Sequence, residues 1–279
     1  MLVPLLFMKL VWWQRLPLIV AGTYAVFCVA LVLLQRRLLY FPQRLTEAQA
    51  QAAFDESGLR RWPDASAADY RGLVKRMAET EALTNGTVLL FHGNAGCAKD
   101  REAYCDLLGR HGWRVVLAEY PGYGARRGAR SEASFRADGR VTARLVRQRY
   151  PGRLVILGES LGAGVAAAVA ADPEVKPDAV ILATPWNTLA SVAAHHYPWL
   201  PVRFFLRDRY DSVAYLKGYA GPVTVLLAER DEIMPASCTL SLYDALPQPD
   251  KRLVRIPSCT HNEWFWLVTE TQWREILSR

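Results

Sequence analysis

None of the usual cofactor signatures is present in this chain. Its five cysteines, at positions 28, 97, 105, 238 and 259, include no CxxC pair, so neither a zinc knuckle nor a dithiol redox centre is expected. Their odd count and irregular spacing also fail to make a disulfide framework, and free thiols are expected. No GxxxxGK[ST] and no GxGxxG occurs, which removes the common phosphate cradles. No period of 20–50 residues recurs, so a solenoid or propeller is excluded. Acidic residues are in the minority, 27 against 34 Lys and Arg, for a formal charge of +7. No recognised nucleic-acid motif accompanies that charge, and no metal, organic cofactor or nucleic acid is expected as a partner.

The basic excess is local. Nine arginines fall between Arg126 and Arg153 against Glu132 and Asp138 alone. Arg136, Arg140, Arg144 and Arg147 recur at helical spacing and form one stripe. Such a stripe is either a solvated helix face or a surface attracted to anionic headgroups.

Long apolar runs are also confined to one place. Residues 16–34 carry no formal charge and are bounded by Arg15 and by Arg36 and Arg37. As a helix they reach about 28 Å, close to the hydrocarbon thickness of a bilayer. Residues 1–40 are therefore expected to form an N-terminal membrane anchor, spanning at about 16–34, with Trp12 and Trp13 suited to an interface. A cleaved signal peptide fits less well, because Gln35-Arg36-Arg37 follows the run in place of small residues. Phe27 before Cys28 argues against a lipoprotein site. Basic residues balance across the segment, Lys9 and Arg15 against Arg36, Arg37 and Arg44, so the side of the membrane is not determined.

After a polar stretch at 41–64, read as a connector, short apolar runs alternate with segments of helical period. Residues 87–91, 114–120, 154–158, 179–184, 223–228 and 253–257 read as strands, and 98–110, 131–149, 161–172, 236–246 and 261–277 as helices. A further strand pair is expected around 68–80. Near-continuous Val, Leu, Ile and Ala cores point to strands buried on both faces, hence to a mostly parallel α/β sheet flanked by helices. The gap from about 185 to 221 is long and rich in Trp, Tyr, Pro and His. It reads as a lid insertion, with a short helix at 207–216.

Gly158-Glu159-Ser160-Leu161-Gly162 is a G-x-S-x-G pentapeptide lying between a buried strand and an alanine-rich helix. That context makes Ser160 a candidate nucleophile on a tight elbow, with the Leu161 amide aimed at a developing oxyanion. A hydroxyl needs a base, and the base an orienting carboxylate. With such an elbow the partners follow in the order acid, then histidine. His92 and His111 precede the serine, and His195 and His196 sit in the insertion; His261 follows the last strand and is the candidate base. Asp231, ending the run from Val223, is the candidate acid. Glu229, Glu232, Asp208 and Asp211 are its alternatives. The glycine-rich turn after 87–91 offers the Asn94 amide as a second oxyanion donor, with His92 shaping the loop by packing. Trp186, Tyr197, Trp199, Phe204 and Phe205 are candidates to line or cover an acyl site. Glu159 points either into the pocket, disfavouring anionic substrates, or outward into solvent.

Together these residues resemble the α/β-hydrolase superfamily over about residues 65–279, and within it the Bem46 type, with relatives among eukaryotic ABHD hydrolases. The resemblance rests on LLFHGNAG (89–96), EYPGYG (119–124), LGESLGAGVA (157–166), HYPWLPVRFFLRDRYDS (196–212), AERDEIMP (228–235) and His261-Asn262. It implies an α/β-hydrolase fold behind one N-terminal membrane segment. It also implies esterase or thioesterase activity on acyl substrates, lipids or lipidated proteins. Its rivals are a peptidase or amidase on the same fold and a membrane-bound scaffold that has lost catalysis.

Overall fold

The computed structural model describes residues 11–64, 70–76 and 85–278. Its strands are β1 (Phe41–Pro42), β2 (Leu59–Trp62), β3 (Gly72–Lys75), β4 (Gly86–Phe91), β5 (Ala95–Gly96), β6 (Trp113–Ala118), β7 (Leu154–Glu159), β8 (Ala179–Ala183), β9 (Val223–Ala228) and β10 (Lys251–Ile256). Eight of them form one sheet in the order β10-β9-β8-β7-β4-β6-β3-β2. Every pairing from β10 to β6 is parallel; at the other edge β3 alone runs the opposite way, pairing antiparallel with both β6 and β2. The central strands β4, β7, β8 and β9 are buried along almost their whole length, as expected of strands covered by helices on both faces.

Two apolar clusters fill the two faces. One gathers Phe135, Val146, Val165 and Leu242, from helices Glu132–Arg149, Leu161–Ala170 and Ala236–Ala245. The other gathers Phe54, Leu108, Trp264 and Trp273, from helices Glu47–Glu56, Glu102–Gly109, Trp264–Leu267 and Glu270–Leu277. This is the α/β-hydrolase architecture: a mostly parallel sheet sandwiched between helices, preceded by one apolar N-terminal helix.

That helix, Trp12–Leu39, has 28 residues, none of them buried, and a mean hydropathy of 2.4 over its most apolar window. By length and composition it is able to cross a membrane.

Several boundaries differ from the sequence expectation. The 41–64 stretch is no connector: it supplies β1, the Glu47–Glu56 helix and β2, the outermost strand of the large sheet. Ala50 and Phe54, four apart on that otherwise polar helix, face the core together with Leu59 and Trp62, so a few well-spaced apolar residues dock a segment whose average composition is polar. Of the pair expected around 68–80, the described residues hold β3, between β2 and β6; residues 68–69 and 77–80, like the domain boundary placed at 65, lie outside the described residues. The helix expected at 261–277 is two, because Thr269 caps a new helix through reciprocal bonds with Gln272. The helix expected at 207–216 covers only Ser212–Leu216, capped by Asp211, since the amides of Arg209 and Tyr210 bond instead to the buried Glu132 carboxylate.

The arginine stripe is engaged internally. Arg144 pairs with Asp172 at 2.7 Å and Glu174 at 3.1 Å, Arg147 with Asp178 at 3.1 Å, Arg140 with Asp172 at 3.8 Å and Arg136 with Glu132 at 3.9 Å. It is therefore neither a bare solvated face nor a row of unneutralised charge.

Candidate active site

The parallel strands all end at one edge of the sheet, and the loops leaving β4, β7, β9 and β10 bring Asn94, Ser160, Asp231 and His261 to that edge. Ser160 sits between β7 and the Leu161–Ala170 helix at φ 52° and ψ −118°, a backbone conformation that L-residues rarely adopt. The two glycines of the pentapeptide permit it. A Cβ on Gly158 would lie 2.3 Å from the Gly162 carbonyl oxygen, and one on Gly162 2.0 Å from that of Phe91. The elbow is tight because the helix start, its own strand and β4 touch backbone to backbone. The Ser160 amide is held by the Ala183 carbonyl of β8 at 2.9 Å.

His261 Nε2 stands 3.0 Å from Ser160 Oγ, and its Nδ1 stands 2.7 Å from Asp231 Oδ2. A proton on Nδ1, facing the carboxylate, leaves Nε2 as acceptor for the serine hydroxyl. Asp231 Oδ1 accepts from the amides of Ile233 at 2.9 Å and Met234 at 2.6 Å. The carboxylate is thereby oriented before it meets the imidazole. His261 lies in a turn ahead of the Trp264–Leu267 helix, and its own amide bonds to Glu232 at 3.4 Å. The alternative acids are occupied elsewhere: Asp208 binds Arg36 and Tyr40, Asp211 caps the Ser212–Leu216 helix, and Glu229 pairs with Arg255.

Ser160, His261, Asn94 and Leu161 all line one cavity of about 640 Å³. Among the described residues, the amides of Asn94 and Leu161 meet no acceptor, and both residues flank the serine. Asn94 is fixed from three sides. Its side chain donates to the Leu39 carbonyl at 3.0 Å, and its own carbonyl accepts from the Phe41 amide at 2.9 Å and the Tyr123 hydroxyl at 2.7 Å. His92 is buried behind this loop between Tyr120 and Tyr123, its Nε2 3.2 Å from Glu119.

Glu159 lines the cavity, the first of the two expectations, but its charge is not free there. It is buried beside the serine, and its carboxylate accepts from Arg101, from the Tyr104 hydroxyl at 2.8 Å and from the Gly93 amide at 3.2 Å. Burial by itself would raise its pKa; the Arg101 guanidinium and the two other donors outweigh it and hold the carboxyl below the ordinary range. The charge is cancelled in place, and no free anion faces the cavity from this position.

Trp186 is buried against the lid and lines the cavity. Tyr197, Trp199, Phe204 and Phe205 do not; they stand on the outer face of the insertion, 52%, 56%, 80% and 49% exposed. Their place is taken by Leu39, Phe41, Met234, Phe265 and Trp266. Sequence reasoning missed these, and it missed Arg101 and Tyr104, because each comes from an element whose orientation the local pattern does not specify.

A family model described as Hydrolase_4, serine aminopeptidase S33, matches residues 83–203, which include the serine elbow and stop before Asp231 and His261. An uncharacterized protein of Mycobacterium tuberculosis is 34% identical over 235 residues, spanning 82% of this chain and 81% of that protein. The lysophosphatidylserine lipase ABHD12 of Danio rerio is 30% identical over 206 residues, 67% of this chain and 53% of that protein. Among solved structures, the Pyrococcus furiosus esterase Pf2001 superimposes with a TM-score of 0.63 at 15% identity, covering 86% of this chain and 98% of that one. The chain belongs to the α/β-hydrolase superfamily, with ABHD-type and Bem46-type relatives.

Proposed function

We propose that the chain is a membrane-anchored serine hydrolase that cleaves ester or thioester bonds of acyl substrates. The observation that carries this reading is the unbroken hydrogen-bonded line from Ser160 through His261 to Asp231, opening into a cavity walled by Leu39, Phe41, Trp186, Leu189, Met234 and Phe265. The relative described as a lipase and the esterase of like fold support the same class of bond.

Ser160 Oγ attacks the acyl carbon as His261 Nε2 takes its proton. The carbonyl π electrons move to oxygen, and the oxyanion accepts hydrogen bonds from the amides of Leu161 and Asn94. Collapse expels the alcohol or thiol, which receives the proton from His261, and leaves an acyl-Ser160 ester. Water, deprotonated by the same imidazole, attacks that ester and releases the acid, restoring the serine. Asp231 keeps Nδ1 protonated and stabilises the imidazolium without itself taking the proton.

The S33 description of the family model keeps a second reading in play, cleavage of a peptide or other amide bond. A fluorophosphonate probe tests the shared core: wild-type protein labels and Ser160→Ala does not. Labelling absent from folded wild type, with a control hydrolase reacting, refutes the enzyme and favours a scaffold. Turnover of p-nitrophenyl acyl esters and thioesters against aminoacyl p-nitroanilides then separates the two enzyme readings.

A further inference from the structure

The insertion between β8 and β9 keeps an unusual neighbour. The Trp12–Leu39 helix buries no residue, yet Cys28, Leu31, Val32, Gln35, Arg36 and Leu39 are half-covered and fall on one helical stripe. What covers much of that stripe is the lid. Phe27 stacks on Trp199 at 5.8 Å, and the Tyr24 hydroxyl donates to the Trp199 carbonyl at 2.7 Å. Gln35 donates to the Phe205 carbonyl at 3.2 Å and accepts from the Arg207 amide at 2.8 Å, and Arg36 pairs with Asp208 at 2.9 Å.

These contacts run along the helix from Tyr24 to Arg36, twelve residues or about 18 Å of rise. That length is about one leaflet of hydrocarbon. If Arg36 and Arg37 mark the headgroup level, as two adjacent arginines at the end of an apolar helix must, the Trp199 end of the lid lies deep in the same leaflet. The residues concerned suit that solvent: 197–206 reads Tyr-Pro-Trp-Leu-Pro-Val-Arg-Phe-Phe-Leu, with one charge, on an arginine long enough to reach the headgroups. Four aromatic side chains of that segment face outward, where a water-facing lid would turn them onto its own core. The cavity continues the path, because Leu39 and Phe41 at the foot of the helix line it, and its rim carries Trp266, 73% exposed, and Ile233.

We propose that residues 197–205 form a wedge dipping into the leaflet nearest the hydrolase domain, with Trp199 in the hydrocarbon and Phe204 and Phe205 just below the headgroups, and that the cavity fills from that leaflet. The substrate is then an ester- or thioester-linked acyl lipid resident in the bilayer, not an acyl compound dissolved in water. This rests on the membrane-anchored hydrolase reading above.

The test uses the full chain in phosphatidylcholine vesicles, with a Cys28→Ser background and an environment-sensitive NBD label placed by Phe204→Cys, by Val26→Cys in the helix, or by Glu174→Cys at the opposite edge of the sheet. Lipids spin-labelled near the top of the acyl chain should quench the label at 204, lipids spin-labelled near its end the label at 26, and both should leave 174 unaffected. Quenching at 26 with 204 behaving like 174 overturns the wedge and leaves the anchor standing. Absence of quenching at both 26 and 204 refutes the wedge together with the anchor. For the route of entry, Phe204→Ser/Phe205→Ser should lower turnover of an acyl ester embedded in those vesicles by about tenfold relative to turnover of a soluble short-chain ester, the scale of ~1.4 kcal/mol of lost interfacial burial. Fluorophosphonate labelling of Ser160 confirms that the variant is folded. An unchanged ratio of the two rates overturns entry from the leaflet.

Discussion

The elbow side of the cavity and the outer face of the lid are built on opposite principles. On the elbow side, polar groups are buried and paired: Glu159 with Arg101 and Tyr104, Asp231 with two amides and His261, Asn94 with Leu39, Phe41 and Tyr123. On the outer face of the lid, which does not line the cavity, aromatic groups stand exposed beside an apolar helix that buries no residue fully. The first is rigid because each group's alternatives are all costly in a low-dielectric interior. The second leaves large aromatic side chains exposed. Paired polar groups and exposed aromatic groups are thus divided between two regions of the molecule.

The sharpest break is at the elbow. Ser160→Ala is expected to lower kcat by about 10⁶, and His261→Ala by a comparable factor, because the two act as a unit; steady-state turnover of a p-nitrophenyl ester measures both. Asp231→Asn should cost about 10⁴ by favouring the wrong imidazole tautomer while the fold is retained. Circular dichroism alongside the same assay separates that loss from unfolding.

Stability effects come next, and they too fall on the elbow side. Glu159→Leu would leave the Arg101 guanidinium, 24% exposed, without its carboxylate and should destabilise by about 2 kcal/mol, read from the denaturant midpoint. The same pair makes stability depend on pH. Because the Glu159 carboxyl is held below its ordinary range, its contribution is fully present above the unfolded-state carboxylate pKa. It is lost as pH falls through the lower folded-state value. In Glu159→Leu that part of the acid limb should be missing from the stability profile. Gly162→Ala places a Cβ 2.0 Å from the Phe91 carbonyl oxygen and should cost about 1–3 kcal/mol together with activity, since the elbow must open to admit it.

On the lid face the smallest effect is expected. Phe204→Ser alone, at a side chain 80% exposed, should change the unfolding free energy in detergent by less than about 0.5 kcal/mol, read from the denaturant midpoint. A large shift would mean that the lid face is packed like the elbow side, and the contrast between them would fall.

Legibility followed the same division. The elbow could be read because its requirements are local: a buried strand, two glycines and a helix within a dozen residues. His261 and Asp231 could be read because chain order and strand ends restrict the choice. Arg101 and Tyr104 could not, since nothing in the sequence around them announces that Glu159 will be buried against the Glu102–Gly109 helix. The 41–64 segment was misjudged for a related reason. Its average composition is polar, and the four residues that dock it, Ala50, Phe54, Leu59 and Trp62, make no continuous run.

What the sequence by itself determined, then, are the features set by short-range chemistry: the α/β alternation, the apolar N-terminal helix, the serine elbow and the order of its partners. Only the tertiary structure decided which residues wall the cavity, that Glu159 is neutralised where it stands, and that the lid turns its aromatics outward along the helix. Those depend on how elements separated by more than fifty residues pack together, a sum of many weak contacts that no local window contains.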